Sequence, residues 1–470
     1  MKPPPTRKPE RRDRHDTTRR LDHHLRRLKI IHLDHRQRRR PRRQITVDPE
    51  IHVPRRRRGI GRPIRRHRPS ERRLVERAVP RRVRRRHLDI IQPCHRALHV
   101  LDTFSTIRYA PSMRSPDLQR GRGATVNATS KRFALPAREA DGDWLDARDE
   151  LDGGAPPLRT TVTSEAARTI ITRNQSPDIG FDRSINPYRG CEHGCIYCFA
   201  RPSHAYLDLS PGLDFETRLF AKPNAPDLLR AELKKPGYVV RPIAFGTNTD
   251  PYQPIERDWR LTRACIAVLA ETRHPLTITT KSDRVVHDID LLAPMAADGL
   301  ATVVVSVTTL DSTIARTLEP RVPHPKRRLA AIRALAAAGI PAYVSLAPVI
   351  PHITDHEMEA ILEQAAEHGA RGAFFLPVRL PNEVAPLFRA WLDEHHPDRA
   401  AKVMATIQSI RGGRDNDPDF FARMRGQGPW ADLLRTRFRI ACRRHGLGHI
   451  KPDLCCDLFK PPSGPQLSLF

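Results

Sequence analysis

Long apolar runs are missing from this chain. No stretch reaches the ~18–20 consecutive apolar residues that a membrane-spanning helix needs. The opening MKPPPTRKPE lacks the apolar centre of a secretory signal peptide. Cysteine is scarce, eight residues in 470, which excludes a disulfide-built scaffold and suits a reducing compartment where thiols serve as metal ligands or catalysts. Acid is scarce in one place only. Residues 1–112 hold 35 of the 82 Lys and Arg but 11 of the 53 Asp and Glu, a net of +24. The other 358 residues carry 47 basic and 42 acidic groups, a net of +5. The overall +29 therefore does not describe a strongly basic folded body. Eleven acids are still too many for a transit peptide. A soluble, cytoplasmic protein without a membrane segment is expected.

Residues 1–112 repeat runs such as Arg55–Arg58 and Arg84–Arg86 with Pro and His between them. Apolar patches such as Leu88–Ile91 are short and aperiodic, so burial cannot offset chain entropy and disorder is expected. Two readings fit. One is an arm that binds nucleic-acid phosphates. The other is a segment read from GC-rich DNA in a non-coding frame, with Met113 as the true start.

After Gly180 the pattern becomes regular. Strands are predicted at 185–189, 242–246, 275–280, 301–307, 341–347 and 372–376. Helices are predicted at 224–235, 258–272, 284–297, 325–338 and 355–368, the clearest opening on Pro325 and ending before Gly339. Nearly continuous apolar strands in series with helices imply a parallel α/β sheet. Six such units fall short of a full eight-stranded barrel, which leaves a partial barrel or an open doubly wound sheet. Polar residues gather at the strand ends: Thr247–Asp250, Lys281–Ser282, Ser306 with Thr308–Thr309, then Pro348–Ile350. In parallel α/β folds the active site lies at that edge. Helix capping explains any one of these Thr or Ser residues, but less readily all four ends together.

Cys191-Glu-His-Gly-Cys195-Ile-Tyr-Cys198 places three thiols on one short loop after the first strand. Such a set suits a soft metal centre. A four-iron cluster ordinarily takes four thiolates, so three leave one iron open to a non-protein ligand. A zinc site completed by His193 or a distant cysteine remains the competing reading.

The C-x3-C-x2-C spacing, with Tyr197 before the last cysteine, resembles the radical S-adenosylmethionine (SAM) superfamily. The longer text NPYRGCEHGCIYCFAR resembles its spore photoproduct lyase-related, DNA repair photolyase-like branch, over about residues 180–352. The resemblance implies a partial (β/α)6 TIM-type barrel with a [4Fe-4S] cluster on Cys191, Cys195 and Cys198. It implies SAM on the open iron, reductively cleaved to a 5′-deoxyadenosyl radical that abstracts hydrogen from the substrate. It further implies that Tyr197, Thr249, Asp250, Lys281, Ser306, Pro348 and Val349 surround SAM. Thr249-Asp250 would meet its amino and ribose groups, Lys281 its carboxylate, and Ala347–Ile350 its adenine. Glu319-Pro320-Arg321 also looks family-like without an assigned role. One departure matters: where the lyase carries a hydrogen-returning cysteine, this chain has Thr247, so repair of the spore lesion itself is doubtful. Cys265 and Cys442 read as packed core, and Cys455-Cys456 have no evident role.

Residues 382–410 and 429–445 read as helices that cover the open side of the barrel. After Pro461–Pro465 the chain ends Gln466-Leu467-Ser468-Leu469-Phe470. Gln466, Leu467, Leu469 and Phe470 resemble a bacterial sliding-clamp-binding peptide; a frayed tail is the plainer reading. The expected division is 1–112 disordered segment, 113–179 N-terminal arm, 180–380 partial barrel, 381–450 C-terminal helices and 451–470 flexible tail. The expected function is a lyase-like radical SAM enzyme in DNA repair, with a flavodoxin- or ferredoxin-like reductant. RNA, protein or metabolite substrates are the alternatives within the class. A zinc-stabilised, non-catalytic binding protein is the alternative outside it.

Overall fold

The computed structural model describes residues 121–125, 127–128, 130–133, 158–449 and 453–462. The basic segment 1–112 and the clamp-like residues Gln466, Leu467, Leu469 and Phe470 lie outside them. Among the described residues eleven strands are formed: β1 (Thr161–Ser164), β2 (Ile171–Arg173), β3 (Arg183–Ile185), β4 (Tyr188–Arg189), β5 (Arg218–Ala221), β6 (Ile243–Phe245), β7 (Leu276–Thr280), β8 (Ala301–Ser306), β9 (Ala342–Val349), β10 (Gly372–Pro377) and β11 (Gly448–His449). The main sheet has the order β11-β10-β9-β8-β7-β6-β3-β2, and a small sheet has the order β1-β5-β4. From β3 to β11 every pairing in the main sheet is parallel; only β2 runs antiparallel, at the edge.

Each barrel strand lies beside the next one in the chain. A doubly wound sheet reverses its order at a switch point, and this sheet has no such point. The fold is therefore the singly wound, open α/β arrangement, and its edges β2 and β11 do not pair among the described residues. All six residues of β8 are buried, as a parallel strand covered on both faces requires. Helices fill the crossovers, including α1 (Ala225–Leu233), α2 (Leu261–Glu271), α3 (Ile289–Ala297), α4 (Ser312–Leu318), α5 (Pro325–Ala337) and α6 (Met358–Glu367). Helix α5 starts on Pro325, and Gly339 just beyond it has φ +76°, a left-handed conformation suited to glycine. Helix α4, unforeseen in the sequence, is capped by the Asp311 carboxylate, which accepts from the Thr313 and Ile314 N–H groups.

The expected helices 284–297 and 355–368 each open as a 3-10 turn before the α-helix, and two other expected elements are broken outright. The strand 185–189 splits because Pro187 has no N–H to give a ladder. Ile185 pairs with Phe245 in the main sheet, whereas Tyr188 pairs with Ala221 in the small one. The helix 258–272 breaks at Arg260, which has φ 49°. The Glu256 carboxylate caps the start of α2 beyond the break, accepting from Thr262 and Arg263 N–H at 3.2 and 3.1 Å.

The C-terminal helices take two places. Helices α7 (Val384–His395) and α8 (Ala400–Ser409) share a buried apolar cluster with Ile196 of the cysteine loop. Helix α9 (Gly428–Arg444) instead packs on β10 and α6 and leads into β11. Residues 453–462, expected in a loose tail, are also built into the fold. Cys455 N–H donates to Gly299 O at 3.0 Å and Lys460 N–H to Thr272 O at 2.8 Å, beneath the strand N-terminal ends. Phe459 packs beside Tyr238 and His274. Their apolar contacts explain why this stretch does not fray.

Candidate active site

The cysteine loop leaves the small sheet at Arg189 and is held from three sides. Cys191 and Cys195 are buried and Cys198 is half-buried. From below, Arg201 donates to Cys195 O at 2.9 Å and Gly194 O at 3.0 Å, and pairs with Glu216 at 2.5 Å. Glu216 also accepts from Gly123 and Ala124 N–H. Gly123 is required here, since a Cβ would stand 1.8 Å from Gly194 O. Gly194 itself has φ +68°, a conformation that side-chain-bearing residues rarely adopt.

From the end of α4, the helix after β8, Glu319-Pro320-Arg321 grips the same loop. The Tyr197 hydroxyl and the Thr308 hydroxyl both donate to Glu319 Oε1. Glu319 Oε2 lies 2.7 Å from Arg328, with both side chains fully buried. Arg321 pairs with Glu192 at 2.8 Å and donates its N–H to His193 O. From the second strand end, Gln253 accepts from Glu192 N–H and donates to Gly190 O. Sequence reasoning left Glu319–Arg321 without a role and missed Arg201, Glu216 and Gln253. A buried Arg or Glu carries no local signal of its partner.

The strand ends converge on this loop. Asp250 Oδ1 accepts from Tyr252 N–H and the Thr280 hydroxyl. Its Oδ2 accepts from Lys281 N–H at 2.7 Å and faces His193 Nδ1 at 3.4 Å. Burial raises the Asp250 carboxyl, but His193, Thr280 and Lys281 together bring it below its ordinary value. Asp250 thus ties β6 to β7 and faces the cysteine loop at His193, whose buried Nδ1 has no hydrogen-bond partner. Thr249 differs: its Oγ1 is buried without a hydrogen-bond partner. Lys281 Nζ reaches Ala347 O at 3.3 Å and lies 5.6 Å from the Tyr197 ring. It forms no ion pair among the described residues. Ser306 is buried, with its carbonyl held by Arg328. Pro348 and Val349 are buried at the end of β9. Asn186, another unforeseen residue, organises the second strand end by exchanging hydrogen bonds with Thr247 and accepting from Asn248 N–H.

The other thiols among the described residues stand apart from this edge. Cys265 is fully buried in the main core, where burial pushes its thiol up. Burial likewise raises Cys442, to about 11. Cys455 and Cys456 sit with residues 453–462 beneath the opposite end.

The donor set fits an iron–sulfur cluster. Burial pushes the Cys191 and Cys195 thiols up; Asp250 then raises Cys191 further, and Glu319 raises Cys195. Of the nearby charges, Lys281 alone favours the Cys195 thiolate. A bound iron centre supplies the missing positive charge and favours the deprotonated ligand. Zinc demands that its ligands converge within ~2.0–2.3 Å of one point. Among the described residues no group of three or more His, Cys, Asp or Glu is placed to hold a single metal ion.

Residues 185–365 match the family model of the radical SAM superfamily. It is similar to an uncharacterized protein of Mycobacterium tuberculosis, 39% identical over 224 residues, covering 47% of this chain and 66% of the relative. An uncharacterized protein of Methanocaldococcus jannaschii is 27% identical over 215 residues, covering 46% of this chain and 76% of the relative. The alignment thus spans just under two thirds of the mycobacterial relative's length. Among solved structures, spore photoproduct lyase complexed with dinucleoside spore photoproduct aligns with a TM-score of 0.45 and 15% identity, covering 67% of this chain and 85% of that one. No helix among the described residues is long and apolar enough to cross a membrane.

Proposed function

We propose that this protein is a cytoplasmic radical SAM enzyme acting on nucleic acid, with DNA repair-like, lyase-type chemistry as the leading reading. Cys191, Cys195 and Cys198 would hold a [4Fe-4S] cluster. Thr249, Lys281, Ser306, Pro348 and Val349 would line the SAM site, and Tyr197 would form its floor beside Lys281. When bound, the cluster and SAM supply a 5′-deoxyadenosyl radical after one-electron reduction by a flavodoxin- or ferredoxin-like donor.

One observation carries the reading: three thiols on one short loop, two buried and one half-buried, lie at the edge that also holds a lysine with no carboxylate partner and a threonine hydroxyl with no partner at all. The Lys281 ammonium suits the SAM carboxylate as a point charge. The Thr249 hydroxyl suits a polar group that would otherwise be buried unsatisfied. Asp250 and Glu319 act as positioning residues, Asp250 by joining the second and third strand ends and Glu319 by accepting from Tyr197 of the loop. Helices α7 and α8 shield the loop from one side, which favours exclusion of water from a reactive intermediate. Thr247 carries a hydroxyl already engaged by Asn186, so hydrogen return from that position is not proposed. Nucleic acid as substrate rests on the NPYRGCEHGCIYCFAR resemblance.

Anaerobic reconstitution tests the proposal. About four irons per chain and formation of 5′-deoxyadenosine from SAM after reduction are expected. A colourless protein that retains zinc and leaves SAM intact overturns it.

A further inference from the structure

The residue after the last cluster cysteine does not turn inward. Phe199 is 48% exposed, as are Phe420 and Phe421 at 52% and 49%. Large apolar rings on a surface are informative when they cluster near a site. Each of the first two carries a guanidinium: Arg379 lies 5.1 Å from the Phe199 ring centroid and Arg423 lies 4.8 Å from that of Phe420. Arg379 follows β10 directly, so this pairing bridges the cysteine loop to the last full barrel strand, at the mouth of the open barrel.

The mounting is rigid. Fully buried Arg411 donates to Ala422 O and Arg423 O on one side and to Pro377 O and Val378 O on the other. Phe421 is held at φ 62°, with its N–H donating to Asp178 at 3.1 Å. Strained backbone of this kind persists where the surroundings enforce it. The charge is not balanced. Arg423 pairs with Asp178 at 2.6 Å, but Arg379 makes no hydrogen bond or ion pair among the described residues. Burial, then the nearby Arg423 charge, lower the Arg379 guanidinium from its ordinary value.

We propose that Phe199, Arg379, Arg423 and Phe420 form a binding strip for unpaired nucleotides of a single strand, bases stacking on the rings and phosphates meeting the guanidinium groups. The proposal rests on the nucleic-acid reading above and adds where the strand lies. Alternating aromatic and cationic groups match a chain in which flat bases alternate with anions. Stacking needs exposed base faces, which a duplex hides. A nucleotide taken out of its stack is also what chemistry inside a pocket demands. Arg379 and Arg423 gain anionic partners on binding, and the ring faces lose contact with water.

The test measures fluorescence anisotropy of labelled strands of about 16 nucleotides on the reconstituted holoenzyme. DNA and RNA single strands are compared with a duplex between about 50 and 200 mM salt. Tighter binding of a single strand than of the duplex is expected. Phe420→Ala and Phe199→Ala should each weaken it about five- to 100-fold, the loss of one base stack. Arg379→Gln should weaken binding and lower the salt slope by about 0.7. Phe420 and Arg379 lie outside the cysteine loop, so iron content and 5′-deoxyadenosine formation without substrate should match wild type and report folding. Strand binding unchanged in Phe420→Ala and Arg379→Gln, or a preference for duplex, overturns the strip. SAM cleavage separates the two ideas. Cleavage with strand binding that ignores these residues removes the strip alone, and strand binding through them without cleavage removes the enzymatic reading alone.

Discussion

The Arg201 guanidinium meets the Glu216 carboxylate at 2.5 Å with neither side chain exposed. The pair does more than neutralise itself. Arg201 also holds carbonyls of Gly194, Cys195, Pro211 and Gly212, and Glu216 holds two N–H groups of the segment at Gly123. Removing one member of a buried pair leaves an uncompensated charge, at a cost of ~3–5 kcal/mol. Arg201→Met is expected to lower unfolding free energy by about that amount and to reduce the iron retained after reconstitution. Denaturant unfolding and iron analysis check both. A variant as stable as wild type would show that the clamp carries no weight.

Thr249 and Asp250 are neighbours with opposite expectations. Thr249→Val removes a buried hydroxyl that has no partner, so folding stability should hold or rise by ~1 kcal/mol. SAM affinity should nevertheless fall, by roughly five- to tenfold for one lost hydrogen bond. Asp250→Asn should act in reverse order, with stability falling first, because the carboxylate accepts from Tyr252, Thr280 and Lys281. Equilibrium dialysis of SAM beside thermal unfolding separates these outcomes. Unchanged SAM binding in Thr249→Val removes the threonine from the site.

Glu319 joins Tyr197 and Thr308 to Arg328. Glu319→Gln keeps the shape and one acceptor but leaves Arg328 buried beside a neutral amide. A loss of ~3–5 kcal/mol is expected, as for other broken buried pairs. Tyr197→Phe keeps the ring beside Lys281 and should cost about 1.5–3 kcal/mol, the net value of one hydrogen bond to a charged group. Urea titration of the two variants gives the ratio. Equal losses would mean that the Arg328 pairing contributes little.

His274 makes stability depend on pH away from the site. Its ring is buried, donating from Nδ1 to Pro275 O and accepting at Nε2 from the Tyr238 hydroxyl. Burial lowers its pKa to about 4 from the ordinary 6.5. Above pH about 6.5 the imidazole is neutral whether folded or unfolded. As pH falls through 6.5 the unfolded chain takes up a proton that the folded chain refuses until about pH 4. Stability should therefore drop across that window, by on the order of 3 kcal/mol. His274→Asn should flatten that part of the profile. Parallel curves for variant and wild type from pH 7 to pH 4 would refute the assignment.

The cysteine loop, the strand ends and the serial strand–helix order were all legible in the chain. Ligand spacing is local covalent geometry, and apolar strands and capped helices are local patterns. Thus Cys191, Cys195, Cys198, Thr249 and Lys281 could be named before any fold was known. Strand order decided what the pattern left open, since both a partial barrel and a doubly wound sheet alternate strands with helices. Long-range pairing decided the rest. Tyr197 and Glu319 stand 122 residues apart, and Arg423 and Asp178 stand 245 apart. Only sheet register and helix packing bring such residues together. For the same reason a buried arginine, an exposed phenylalanine and a tail tucked beneath the barrel acquired meaning only from their neighbours in space.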